Sequence, residues 1–249
     1  MDNPLHLLAF AAIVAFAMVT EAALGFGATV IAVTLGAHLV ALDVLLPALV
    51  PVNFLLSSGV LLRHRAHVDR PLLLRRVLPA MAPGVAVGLV LWRLGTGKAL
   101  LLALALFVAG LAALELTREL RGRASAVRAL PRPIEAALLA CAGVAHGLYG
   151  TGGPLVVYAA GRALPDKARF RATLTALWWV LGAVLLVQYA AQGLIGVRSG
   201  QVSLALLPAL GVGLWLGDRV HGRVDERSFR RLVWTLLLAA ALALLARSL

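Results

Sequence analysis

The stretch Ala145-His146-Gly147-Leu148-Tyr149-Gly150-Thr151-Gly152-Gly153-Pro154-Leu155-Val156-Val157-Tyr158 decides how this chain is read. It sits in an apolar setting, yet its glycines and threonine ahead of a proline cannot continue a single helix. Pro154 fits the first turn of a new helix, where the missing N–H had no partner to lose. The spacing therefore predicts a helix ending near Tyr149, a turn, and a second helix from Gly153. At membrane depth, the peptide groups freed by such a break survive only against protein or a polar cavity.

The rest of the chain supplies the membrane. Of its 249 residues, 61% are hydrophobic and 14% charged, with mean hydropathy +0.94. Soluble domains run at about 45–50% apolar and about 25% charged, so a cytosolic enzyme is excluded. Val44 to Leu62, Ala99 to Leu114, Ala172 to Gln188 and Leu232 to Ala246 contain no Arg, Lys, Asp or Glu. Each approaches the roughly 20 residues that cross a bilayer. The net charge of +12 comes from short basic clusters between apolar runs, not from one stripe, so nucleic acid is not an expected partner. Cys141 is the single cysteine, so neither a disulfide framework nor a metal-ligand spacing exists, and no cofactor or metal is expected. Met1-Asp2-Asn3-Pro4 offers no basic leader, so the first apolar segment is expected to remain.

The chain also repeats itself at an offset of 125. Gly25-Phe26-Gly27-Ala28 falls on Gly150-Thr151-Gly152-Gly153, Gly36 on Gly161, Val77 to Trp92 on Val202 to Gly217, and Glu21 on His146. The expectation is one transmembrane domain over 1–249, made of a first repeat over 1–124 and a second over 125–249. Its apolar segments are Leu5 to Thr20, Ala22 to Ala41, Val44 to Leu62, Val77 to Trp92 and Ala99 to Leu114. Their counterparts are Ile134 to Tyr149, Gly153 to Gly161, Ala172 to Gln188, Val202 to Gly217 and Leu232 to Ala246.

Short basic loops stay cytoplasmic, so charge chooses the topology. If each half crossed four times, in a parallel repeat, Lys and Arg would divide twelve against eleven between the two sides. If each Gly-rich stretch instead folds as a hairpin that starts and ends on one side, they divide nineteen against four. We therefore expect an all-α polytopic membrane protein in which each half is a Gly-broken hairpin followed by three crossings. Three is odd, so the halves would be inverted, with both termini outside. Inverted repeats are a recurrent plan of secondary transporters, with substrate held near the midplane.

Gly25-Phe26-Gly27-Ala28-Thr29 would make the matching break in the first half. Two helix N-termini facing each other form a natural oxyanion site, from Gly25, Phe26, Gly27, Ala28 and Thr29 on one side and Gly150, Thr151, Gly152 and Gly153 on the other. Close helix packing is the other reading of such glycines. Their matched positions in both halves favour the site.

The pattern Gly-Leu-Tyr-Gly-Thr-Gly-Gly-Pro-Leu-Val-Val-Tyr, the turn Pro165-Asp166-Lys167, and Arg169-Phe170-Arg171-Ala172-Thr173-Leu174 resemble the TauE/SafE permease family. A weaker copy, Glu21 to Thr29 leading to Leu42-Asp43, lies in the first half. The resemblance implies a multi-pass permease of the bacterial cytoplasmic membrane for sulfite, organosulfonates or related small anions. Ala28 and Thr29 stand where family members often carry more glycine and a proline, so the first break departs from the pattern.

An ionisable group inside a span is expensive and marks function. Glu21 and its repeat mate His146 are therefore expected to handle the coupling proton, an imidazole titrating near neutrality; a sodium ion in the proton's place is left open. Glu21 as a helix cap and His146 as packing are the plainer readings. Asn53 and Thr173 are weaker candidates for the substrate path, with Ser57, Ser58 and Thr175 behind them. Arg171 would gather anions at the cytoplasmic entrance or anchor its helix. The tryptophans Trp92, Trp178, Trp179, Trp215 and Trp234 read as interface anchors. The resulting expectation is a non-enzymatic secondary carrier that alternates access by moving one half against the other. A passive channel, an accessory membrane subunit and an intramembrane enzyme are the alternatives. Its partners would be a small anion, a coupling proton or sodium, and the lipid bilayer, with a homo-oligomer left open.

Overall fold

The computed structural model describes residues 4–95, 97–121, 130–160, 163–164, 166–223 and 225–248. The expected boundary between halves at 124/125, the repeat mate Gly161 and Pro165 of the polar turn lie outside the described residues.

The regular elements among these residues are all helices. In the first half, α1 (Pro4–Leu24) is followed by α2 (Ala28–Gly36) and α3 (Leu42–His64). Then α4 (Arg70–Leu72) runs through a π turn at Leu73–Val77 into α5 (Leu78–Leu94), and α6 (Gly97–Leu120) closes the half. The second half repeats the order: α7 (Arg132–Tyr149), α8 (Gly153–Ala160), α9 (Lys167–Ala191), α10 (Val197–Ala205), α11 (Leu207–Arg223) and α12 (Glu226–Ser248). The segment read from sequence as Ala22 to Ala41 is cut by its glycines, so that Ala22–Leu24 finish α1 and α2 starts at Ala28.

Both Gly-rich stretches fold back on themselves. Gly36, the last residue of α2, lies against Phe10 near the start of α1; a Cβ there would come within 3.0 Å of the Phe10 ring. Had α2 continued along α1, Gly36 would stand roughly 40 Å beyond Phe10 at helical rise. In the second half Gly152 lies against the Ala142 backbone, about two turns before the end of α7. The glycines make these reversals possible. Gly25 and Gly27 have φ of 84° and 113°, and Gly150, which ends α7 by donating its N–H to the His146 carbonyl at 2.8 Å, has φ of 65°. Side chains rarely adopt such angles.

Among the described residues, Leu42–His67, Arg70–Leu94, Lys98–Leu120 and Lys167–Ala191 are long and apolar enough to cross a membrane. A fifth candidate is the pair Ser199–Ala205 and Leu207–Gly217, bent by 41°. Leu8–Leu24 and Arg231–Ala246 are shorter apolar helices. The outward faces keep large apolar side chains exposed, such as Leu74, Val87, Val90 and Leu94 on α4 and α5, as a lipid-facing surface requires.

The most extensive packings join one half to the other: α5 with α7, α1 with α11, α6 with α12, and α3 with α9. Replacing each helix by its counterpart in the other half leaves this set unchanged. The directions are also informative. Gly84 meets Ala140 and Val144 while Gly88 meets Val144 and Gly147, so α5 and α7 run parallel; Gly213 on Met18 and Gly217 on Ala22 make α11 parallel to α1. The equivalent helices run opposite ways. Trp179 of α9 bonds Ser58 of α3, while Gly182 lies against Phe54, and Arg231 at the start of α12 donates to the carbonyl of Glu119 at the end of α6 (3.4 Å).

Candidate functional site

Because both hairpins stop inside the bundle, their tips and the starts of α2 and α8 border one space. From the first half it is lined by Glu21 of α1, Gly27 and Thr29 at the break, and Val50, Asn53, Phe54 and Ser57 on one face of α3. From the second half come His146 of α7, Gly150 to Gly153, and Trp178, Gly182 and Leu185 on one face of α9. The room this space leaves for water-sized molecules is about 30 Å³, within about 450 Å³ of atom-free volume that runs out into open solvent. No Arg or Lys is among the lining residues that are described. What the space offers to a negative charge is peptide dipoles and hydroxyls.

Gly27 and Gly152 hold equivalent places. Gly27 accepts the first backbone bond of α2 from Ile31 (3.0 Å), and Gly152 that of α8 from Val156 (3.1 Å). The two helix starts differ in what meets their amides. Glu21 is 8% exposed, and its Oε2 accepts the Ala28 N–H at 3.0 Å, so the chain's own carboxylate caps α2. His146 occupies the equivalent position beneath α8. It is 3% exposed, and neither ring nitrogen has a hydrogen-bond partner, the Leu181 carbonyl approaching without reaching hydrogen-bond geometry. The imidazole stacks on Trp178, centroids 5.9 Å apart and planes 16° from parallel.

Asn53 donates from Nδ2 to Thr29 Oγ1 at 2.7 Å, tying α3 to the first break, while its Oδ1 is buried without a partner. Ser57 Oγ is likewise unpartnered and buried. Thr151 is buried and lines the space.

Four of the sequence-predicted residues sit elsewhere. Gly25 backs onto Arg171, where a Cβ would come within 2.9 Å of the Arg171 Cα, and its carbonyl accepts Trp178 Nε1–H at 2.8 Å. Phe26 packs against Gly153 and borders a small apolar gap with Val233, Trp234 and Leu237. Ala28 is buried and contributes its amide to Glu21. Thr173 lies in the first turns of α9, where its hydroxyl accepts the Asp69 N–H at 2.9 Å.

Trp178 lines the same space, which the sequence reading did not expect of it. Its indole bridges both breaks: bonded to Gly25, stacked on His146, and within contact of Gly153. The repeat offset carries the signal that finds it. Shifting Asn53 by 125 gives Trp178, and shifting Ser57 gives Gly182, so the lining of α9 is the image of the lining of α3.

Residues 10–244 match the family described as "Sulfite exporter TauE/SafE". A protein of Comamonas testosteroni, "Probable inner membrane transporter protein TsaS", is 31% identical over 171 residues, 68% of this chain and 69% of that one. No solved structure matches. With its apolar spans, its paired hairpins and this match over nearly its whole length, the chain belongs to the TauE/SafE family of membrane transporters.

Proposed function

We propose that this protein is a secondary carrier that moves a small oxyanion, sulfite or an organosulfonate, across the bacterial cytoplasmic membrane. The observation that carries the proposal is the convergence of two helix N-termini, a buried carboxylate and an unpartnered imidazole on one space. Gly150, Thr151, Gly152 and Gly153 hold the substrate, and Gly27, Thr29 and Asn53 close the other side of the space. Gly25, Phe26 and Ala28 shape the first break, and Thr173 steadies the entrance of α9. Glu21 and His146 exchange the coupling proton, with sodium in its place as the alternative. The family's description and the name of the Comamonas relative support the transport reading.

The halves are read as inverted repeats of six full crossings, with both termini outside. Support comes from the antiparallel course of α3 against α9 and of α6 against α12, since repeats related by an axis along the membrane normal would run parallel. The basic loops at Arg63 to Arg76 and Asp218 to Arg231 then face the cytoplasm.

The test has two stages. Purified protein screened by thermal shift against sulfite, sulfate, thiosulfate, sulfonates and carboxylates should melt higher with a sulfur oxyanion, because a ligand that prefers the folded form stabilises it. In proteoliposomes that anion should accumulate, with saturation, when a pH gradient is imposed. Glu21→Gln should abolish the accumulation. No stabilisation by any of these anions, and no saturable flux, would remove the carrier reading.

A further inference from the structure

The two helix starts are not equivalent anion sites, because one of them is already occupied. We infer that the pocket takes a single external oxyanion at the start of α8, against His146 and Ser57, and that the Glu21 carboxylate on α2 is its built-in competitor. The anion then enters together with one proton that neutralises Glu21. This rests on the carrier reading above and names which end of the site is used and what regulates it.

The asymmetry is visible atom by atom. Glu21 Oε2 takes the Ala28 N–H, which is the position an anion bound to α2 would need. No carboxylate holds the corresponding place at α8 among the described residues; the repeat puts His146 there. Lining the pocket into which that second start opens are polar atoms buried without a hydrogen bond of good geometry, the nitrogens of His146 at 3% exposure, beside the Leu181 carbonyl, and the hydroxyl of Ser57 at 1%. Either imidazole nitrogen can donate once protonated or in the fitting tautomer, and a serine hydroxyl rotates to donate. A buried polar group left unsatisfied is costly, so these atoms mark where a ligand completes the structure.

The same wall holds Glu21, and two like charges in one low-dielectric space repel strongly. Neutralisation removes that repulsion. A proton from bulk water bonds to a Glu21 carboxylate oxygen, and no other bond changes. The surroundings of Glu21 leave few other groups to take part. α2 has no titratable residue; α3 has them only at its ends, Asp43, Arg63 and His64; α11 passes Ala22 with Gly217 and is charged only beyond it; from α9, Arg171 abuts Gly25; and from α7, His146 shares the pocket.

The probes are methanesulfonate and sulfate, both fully ionised from pH 5 to 8, titrated into the purified protein by calorimetry in two buffers of different ionisation heat. The unmodified protein should bind one anion, take up close to one proton with it, and lose affinity by up to about tenfold per pH unit as Glu21 ionises. Glu21→Gln should bind at pH 8 at least about tenfold tighter than the unmodified protein, with the pH dependence flattened. If Glu21→Gln keeps the original pH slope, the proton resides on His146, and the inference fails while the carrier reading stands. Weaker binding by Glu21→Gln at every pH would make Glu21 a ligand holder and also overturn it. Should that variant not fold, zero proton uptake by the unmodified protein is the overturning result. Absence of binding by either probe at any pH removes the inference together with the carrier reading for strong-acid oxyanions.

Discussion

Trp178 carries more of the site than its position near a helix end announces. Replacing it by Phe keeps the stack on His146 but removes the N–H that satisfies the Gly25 carbonyl. A partly buried carbonyl left bare costs about 1–3 kcal/mol. Trp178→Phe should therefore unfold at lower denaturant in detergent micelles and transport more slowly. Trp179→Phe, whose indole bonds Ser58 on an exposed face, should change stability by less than about 1 kcal/mol in the same assay. At this scale the sequence is legible where burial is expensive. Glu21 and His146 stand out because a charge amid apolar residues demands a reason. Trp178 does not, because tryptophan is as much at home at a lipid interface as in a core. Thr173 is ambiguous for a related reason: a hydroxyl on a helix facing the bundle is indistinguishable, in sequence, from one serving a neighbouring backbone amide, as Thr173 does for Asp69.

Among the elements, the glycines divide into two groups with different work. Gly25, Gly27 and Gly150 turn the chain, and their left-handed angles are readable from a Gly cluster ahead of Pro154 or Ala28. Gly84, Gly88, Gly143 and Gly147 form a seam in which α5 and α7 touch backbone to backbone; a Cβ on Gly147 would lie 2.5 Å from the Val85 carbonyl oxygen, and one on Gly84 would overlap that of Ala140. This is the close packing that small residues allow in membranes. Gly143→Val should force the seam open, with a loss of about 3 kcal/mol or more and a fall in folded yield by size-exclusion chromatography. Gly110→Ala on α6, where a Cβ meets nothing within 4 Å, should raise stability by about 0.5–1 kcal/mol instead. Sequence could not assign the glycines of the seam a partner, because pairing depends on which helix lies opposite, and an Ala- and Leu-rich surface accepts many.

For the whole molecule, charge is what argues for hairpins in the sequence, since of the two topologies weighed only fold-back at both Gly-rich stretches separates the basic loops. The folded-back positions of Gly36 and Gly152 accord with that count. The sidedness is testable in cells. In a Cys141→Ser background, a cysteine at Gly196 should react with a membrane-impermeant maleimide from outside, while one at Ala66 should react only after the cells are opened. The reverse pattern, or both reacting from one side, would overturn the proposed inversion. What sequence left unreadable is the exchange between halves: each hairpin is held chiefly by a helix of the opposite half, α1 by α11 and α7 by α5.

That crossed grip bears on how the proposed carrier would move. Rocking residues 1–121 as one rigid body against 130–248 would have to tear both glycine seams, where backbones interlock with no slack for sliding. For the proposed carrier we therefore favour composite moving bodies, each a hairpin together with the foreign helix that clasps it, shifting past the antiparallel pairs of α3 with α9 and α6 with α12. A polypeptide severed in its central connection would then yield two fragments that are insoluble apart and competent only when they embrace during synthesis in the same membrane.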